Sequence, residues 1–545
     1  MNLINDSWIP VRHRNGDHAL IASWQITEQH DSNPIVALAA PRADFNGALM
    51  QFLIGLLQTS TSAKEDEWEE LLEQPPTPDD LKQQFLPHAK AFELAGDGPR
   101  FMQDCNLPEG EEKPIAALLI EAPGEKSLRD HTDHFIKRGG VNGLCSACTA
   151  AALFTLQTNA PSGGVGHRTS LRGGGPLTTL VIFDPKTAGD DLRATLWRNL
   201  WLNVLEKPSF LSLGNAKKTA PADIFPWLAP TRTSEAKTGK QTTPEDTHPA
   251  QMFWGMPRRI RLDFKNTEEG HCDICGCLSE TLVNRYITKN YGVNYTGPWK
   301  HPLSPYNVDK QGVPLPVHAQ PGGVSYRHWL GLVQKSSSRE SAKIVTQFQE
   351  HRKLFHQQFR VWAFGYDMDN MKARCWYEVT IPLYELEQAY RKHFEGTVER
   401  CINAASEVKN YLVRALKEAW FDRLEDAKGD FSFIDLAFWQ NTETDFYGCL
   451  QDLADSLQTE ADKSAAMDRI RERWYKVLVS QAEAQFDQWA TSGFFEYENP
   501  RRIAQAYNKL RRQLWGKKLR TDTLELPLKS EQPVQEGVLT DVVTV

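Results

Sequence analysis

No stretch of this 545-residue chain is apolar over the roughly 20 positions that a membrane-spanning helix needs. The longest greasy run, FNGALMQFLIGLLQ at 45–58, stops well short. The opening MNLINDSWIPVRHRNGDH lacks the apolar segment of a signal peptide, so the expectation is a cytoplasmic chain with no membrane attachment. A disulfide framework is not expected of nine cysteines in that setting. Excess positive charge is missing too. With 62 Lys and Arg against 70 Asp and Glu, the formal net charge is −8, and contact with nucleic acid would have to be local. There is no H-E-x-x-H, no G-x-S-x-G and no internal repeat, which removes the commonest metalloprotease and hydrolase signatures.

The most telling absence is proline. The chain holds 31, yet none lies between 383 and 499. A proline inside a helix costs about 3 kcal/mol, so a long gap of this kind marks a helical domain. Breaks at DAKGDFS, QTEAD and TSGFFEYENP divide it into segments near 384–421, 432–457, 463–491 and 500–518, the pattern of a four-helix bundle. In the last segment Ile503, Tyr507, Leu510 and Leu514 make one apolar stripe among arginines and lysines.

Before Pro382 the signals are mixed. Asn15-Gly16 between two β-prone runs predicts a hairpin, residues 45–58 a buried helix, and 178–184 and 258–264 strands, without the spacing of a doubly wound sheet. The fold class expected is α+β: a large irregular α/β domain over 1–382, a four-helix bundle over 383–522 and a disordered tail over 523–545. Residues 230–249 are polar and aperiodic and read as a mobile surface loop.

Two acid-free segments stand out, 161–183 and 499–521, the first with Arg168 and Arg172 beside a glycine-rich loop, APSGGVGHRTSLRGGG at 160–175. As a phosphate cradle this loop fails. Arg168 stands where a P-loop needs lysine, the spacing is wrong, a helix precedes it, and LVIFD follows too soon. The rival is a loop whose backbone approaches a larger polyanion.

Cys145-Ser-Ala-Cys148 and Cys272-Asp-Ile-Cys275 supply four thiolates, enough for the closed tetrahedral shell of a structural zinc, which would anchor the base of the glycine-rich loop. His271 and Cys277 are alternative ligands. A redox C-x-x-C explains one pair only, and simple buried thiols are the third reading. The cluster His131, Asp133 and His134 suggests a metal-dependent nuclease, but no further ligands appear at recognisable spacing.

NLINDSWIPV, RFMQD (100–104), CSACTAAALF, SLRGGGPLTTL, WGMPRRIRL, PWKHPLSP and GYDMDNMKARCW (365–376) occur in this order. In this the chain resembles the CasA family, the large subunit of the type I-E CRISPR surveillance complex Cascade, over nearly its whole length. The resemblance implies a noncatalytic DNA-recognition subunit. It would dock on the crRNA-bearing backbone beside the small subunits, inspect double-stranded DNA for the PAM, help open the duplex and support a recruited helicase–nuclease. Base pairing would read most of the sequence.

By the same resemblance Ser162, Gly163, Gly164, Val165, Gly166, His167 and Arg168 form the PAM loop, with Val165 where the family can carry glycine. Lys289 and Asn290 are the candidates for its lysine finger. Asp369, Asn370, Met371 and Lys372 form the wedge, Asn370 standing where a member has glutamine. Phe135, Ile136 and Lys137 are docking residues. A minor groove of about 6 Å admits backbone more readily than side chains, which gives such a loop its physical sense. Two rivals remain, the nuclease using His131, Asp133 and His134, and a purely structural assembly subunit.

Overall fold

The computed structural model describes residues 1–61, 63–107, 109–133, 138–161, 163–164, 166–184, 194–235, 237–318, 323–333, 339–351, 359–369, 372–384, 386–490 and 499–526. They fall into two compact units. One comprises Met1–Val324 with His328–Leu383; the other comprises Ser325–Arg327 with the chain from Tyr384 onward.

Small sheets of two or three strands make up the β structure of the first unit. Ile9–His13 and His18–Ile21 pair antiparallel with Arg12 opposite His18, and Ile35–Leu38 adds a third strand. Gly16 takes φ +95° in the turn, a conformation open to glycine without a Cβ penalty. The helix Ala43–Ser60 is apolar on nearly every side because almost every side is covered. Phe52 on this helix meets Trp8, Phe154 and Trp254 edge-on at 5.3, 5.7 and 5.7 Å, an arrangement that suits the ring quadrupoles. Thr178–Phe183, Phe359–Asp369 and Lys372–Leu383 form an antiparallel sheet, the last two as one long hairpin.

Among the described residues the proline-free stretch is mainly helical, with long helices at Gln388–Trp420, Ser432–Thr459 and Lys463–Ala490. A fourth, Pro500–Leu514, opens on the next proline. The first packs along each of the other three, and the second along the third. Asn499 caps the last helix by accepting from Arg502 N at 3.1 Å, with Pro500 at the first helical position. The Arg502 guanidinium donates to Ala419 O and Trp420 O at 2.8 and 3.0 Å, satisfying carbonyls at the end of the first helix. Leu524 and Leu526 are buried, and Glu525 pairs with Arg400 at 2.8 Å, so packing continues past 522.

The segment 230–249 departs from the sequence expectation. Gln241–Thr242 pairs in parallel with Asn294–Tyr295, Ser234 N donates to Tyr291 O at 3.2 Å, and Thr242 and Thr247 are buried. Ser234 Oγ also donates to Gly292 O at 2.8 Å, so this part of the segment is tied to residues 290–295 and is not a free surface loop.

Candidate nucleic-acid interface and metal centre

The two cysteine pairs occupy different local structures that meet. Cys145 is the N-cap of the helix Ser146–Asn159, and its sulfur accepts from Cys148 N at 3.5 Å. Cys272 and Cys275 lie in the turn between strands Glu268–His271 and Leu278–Leu282. There Cys272 N donates to Cys277 O at 2.9 Å, Gly276 N to Cys272 O at 2.8 Å, and Gly276 takes φ +73°. The four sulfurs lie within 4.8 Å of one another, Cys145 and Cys275 at 3.7 Å. Zinc–sulfur bonds of about 2.3 Å in a tetrahedron give sulfur–sulfur edges of about 3.8 Å, so these four residues could hold one metal ion. His271 and Cys277 are exposed and stand outside the set. Hydrogen bonds to Cys145 and Cys272, then burial, hold the Cys148 thiol well above its ordinary range; loading a cation would therefore release protons.

More than sulfur joins the two segments. The Asp273 carboxylate accepts from Asn142 N and Gly143 N at 2.6 and 2.9 Å. Leu144 and Val283 exchange backbone bonds of 3.0 and 2.8 Å. The cluster does not sit under the glycine-rich loop, as its sequence position suggests. The helix Ser146–Asn159 separates them by about 20 Å at 1.5 Å per residue. Two arms leave the cluster, this helix and the chain through strand Arg285–Lys289, and they converge again at the loop.

At the loop the glycines divide into two groups. Gly163 bridges to His167. Gly164 is exposed at φ +46°, with no atom of the described residues within 4 Å of where a Cβ would stand. Gly166, at φ +81°, has no such room: a Cβ would lie 2.9 Å from Tyr291 Cδ1 and 3.1 Å from Asn290 Cβ, while Tyr291 N donates to Gly166 O at 2.8 Å. The later glycines face the body of the unit. A Cβ on Gly173 would stand 2.5 Å from His318 Cε1, and one on Gly175 2.6 Å from Met368 Cγ. Ser162 and Val165 lie outside the described residues.

The charges around the loop are fixed in unequal ways. Arg258 is held by Pro161 O, and burial lowers its guanidinium to about 10. Burial, then the charges of Arg258 and Lys113, lower His167 to about 4, which keeps it neutral. Arg168 spends its guanidinium on Ser234, with Nε 2.8 Å from Oγ and Nη2 3.3 Å from the carbonyl oxygen. Arg172, which sequence reading set beside the loop as a local cation, is buried, bonding Gln51 Oε1, Thr178 Oγ1 and Ser304 Oγ at 2.5, 3.0 and 3.1 Å. It is a strut inside the unit.

Lys289, half-buried, ends its strand opposite Arg259, and Asn290 abuts Gly166. The long hairpin closes with Asp369 opposite Lys372; Asn370 and Met371, and the side chains of Asp369 and Lys372, are outside the described residues. Gly175 joins this hairpin to the glycine-rich segment through Met368 and Tyr366 O.

The family model for CRISPR-associated protein Cse1 matches residues 2–485. The chain belongs to the Cse1 family. Among solved structures, Thermus thermophilus CasA (Cse1) is similar at 17% identity and a TM-score of 0.65, over 94% of this chain and 99% of that one. Thermobifida fusca Cse1 matches at 16% identity and a TM-score of 0.68, over 95% and 98%. A chain of a "CRISPR RNA-guided surveillance complex" matches at 15% identity and a TM-score of 0.61, over 95% and 99%. At these identities the likeness establishes a shared fold.

Of the remaining candidates in this Cse1-family chain, Phe135, Ile136, Lys137 and His134 lie outside the described residues. Asp133 is gripped by Arg138, Nε and Nη2 each 2.6 Å from a carboxylate oxygen, and Arg138 Nη2 lies 3.2 Å from His131 Nδ1. That hydrogen bonding holds the Asp133 carboxyl at about 2. Among the described residues only the four cysteines gather as a metal-ligating set. The basic C-terminal segment is largely matched by acids of its own unit. Lys509 pairs with Glu418 at 2.6 Å, Arg511 with Glu483 at 3.2 Å and Arg520 with Glu472 at 2.7 Å, leaving Arg501, Arg512 and Lys517 exposed. Sequence reading missed Arg258, Ser234 and Tyr291 as supports of the loop. Only the MPRR run hinted at the first, and nothing local marked the other two.

Proposed function

We propose that this chain is the noncatalytic large subunit of a type I-E CRISPR surveillance complex, recognising the PAM of double-stranded DNA. Its C-terminal helices act as a four-helix bundle. Similar folds in structures described as an RNA-guided surveillance complex and as its pre-nicking state support this assembly context. The partners are then crRNA-bearing backbone subunits, small subunits, target duplex and a recruited helicase–nuclease, in the cytoplasm. No helix among the described residues is long and apolar enough to cross a membrane.

One observation carries the reading. Gly164 offers exposed backbone with nothing among the described residues over its α-carbon, while Gly166 is locked on Asn290 and Tyr291. A bare tip on a fixed footing suits a groove only about 6 Å wide, whose degenerate edges are read by hydrogen bonds to backbone. Lys289 or Asn290 reads or anchors beside it, Asp369 to Lys372 wedge the duplex below the PAM, and Phe135, Ile136 and Lys137 dock on the guide-bearing backbone. Cys145, Cys148, Cys272 and Cys275 hold a structural zinc. With four thiolates the shell is closed, so the ion supplies cross-linking and no water for hydrolysis.

A PAM-library binding screen on the assembled complex tests the reading. Gly164→Ala should remove or re-rank the accepted PAMs; an unchanged ranking overturns it. Robust DNA cleavage by the pure protein with divalent metal would overturn the noncatalytic assignment.

A further inference from the structure

Arg168 is a tether in this structure, and what it holds is a turn of the 230–249 segment. Ser234 accepts from Arg168 Nε and donates through Oγ to Gly292 O at 2.8 Å, while its backbone N donates to Tyr291 O. The same short stretch, 290–292, supports Gly166. From Ser234 the chain turns back at once: Gly239 N donates to Glu235 O at 2.7 Å and Lys240 N to Thr233 O at 2.9 Å. Gly239 is required there, since a Cβ would stand 2.4 Å from Ser234 C. The turn presents Lys237 and Lys240, both exposed and in no ion pair among the described residues, and its one acid, Glu235, lies 3.9 Å from Arg259.

We infer that Lys237 and Lys240 form a phosphate-contacting site for duplex DNA, carried beside the glycine-rich loop by the Arg168–Ser234 tether. The inference rests on the minor-groove reading of that loop. A loop in a minor groove lies between two phosphate backbones, and neutral glycines supply nothing to either. Two lysines on a turn braced against the same footing supply that charge without entering the groove. They carry no base preference, because a phosphate is the same at every base pair. Arg168 is therefore a positioning residue, reaching the DNA through Ser234 and the turn.

The test uses the assembled complex with crRNA and a target duplex, comparing wild type with Lys237→Gln/Lys240→Gln and with Arg168→Lys. Two phosphate contacts contribute a slope of about −1.8 in log K against log salt, so between about 50 and 200 mM wild type should lose about twelvefold more affinity than the double variant. The loss at fixed salt should be equal across PAM sequences, with assembly unchanged by size-exclusion chromatography. Arg168→Lys should weaken binding in the same PAM-independent way. An unchanged salt slope, or a loss confined to one PAM, overturns the inference. Failure of the minor-groove reading shows separately, as a Gly164→Ala complex with unaltered PAM ranking.

Discussion

Glycines within one short loop are not interchangeable, and the difference is measurable. Gly164 and Gly166 both have positive φ, yet only Gly166 is crowded. The left-handed backbone alone costs a residue with a Cβ about 1–2 kcal/mol, and forcing a group into packed space adds about 1–3 kcal/mol. Chemical denaturation should therefore place Gly164→Ala about 1 kcal/mol below wild type and Gly166→Ala well below that; equal losses would contradict the lock on Tyr291. His167 offers a second test at this scale. Its pKa falls from 6.5 to about 4 on folding, through burial first and then the charges of Arg258 and Lys113. The unfolded chain binds the extra proton between those values, so the stabilisation is complete above about pH 6.5 and is lost as pH falls toward 4. The melting temperature of wild type minus that of His167→Gln should be flat above pH 6.5 and decline below it. A difference independent of pH would show that the imidazole is not held neutral.

At the scale of elements, legibility followed the range of the forces involved. The proline gap, the Asn15-Gly16 turn and the apolar run at 45–58 are local signals, and each produced its element within a few residues. The 230–249 segment was misread because Ser234 and the backbone of Thr242 find partners far along the chain, and no local period encodes that. Arg172 was misread for the same reason: two of its acceptors, Gln51 and Ser304, lie more than a hundred residues away. The cysteine pairs were legible as a set because thiolate spacing is local within each pair. Their distance from the loop was not, because it depends on the direction of a helix. That direction bears on what metal removal does. Leu144, Val283 and Asp273 hold the junction by backbone bonds as well, so chelation should loosen it without unfolding the chain. Metal analysis should give about one zinc per chain. Hydrogen exchange after chelation, or in Cys272→Ser, should rise at 142–148 and 270–283 first. Zinc well below one per chain, or uniform loss of protection, would refute this account.

Across the whole molecule, sequence order and packing part company at one place that no periodicity would find. Tyr326 is flanked on both sides by residues of the first unit, yet Ser325–Arg327 belongs with the helices. Its ring stacks on Phe446 at 4.2 Å and meets Trp439 and Trp474 edge-on at 4.9 and 5.9 Å, and its hydroxyl lies 2.8 Å from Thr442 Oγ1. With no exposed surface, this ring fills space among three aromatic residues contributed by two helices. Truncating a buried aromatic to alanine costs about 3–5 kcal/mol. Removing the hydroxyl alone costs about 1 kcal/mol, since Thr442 Oγ1 retains its bond to Phe438 O at 2.7 Å. Tyr326→Ala should therefore lower hydrogen-exchange protection in Ser432–Thr459 and Lys463–Ala490 while leaving the Ile9–His13 sheet at its wild-type level, and Tyr326→Phe should restore most of it. Equal losses in the sheet and the helices would mean that Tyr326 serves the chain as a whole and not the helical unit.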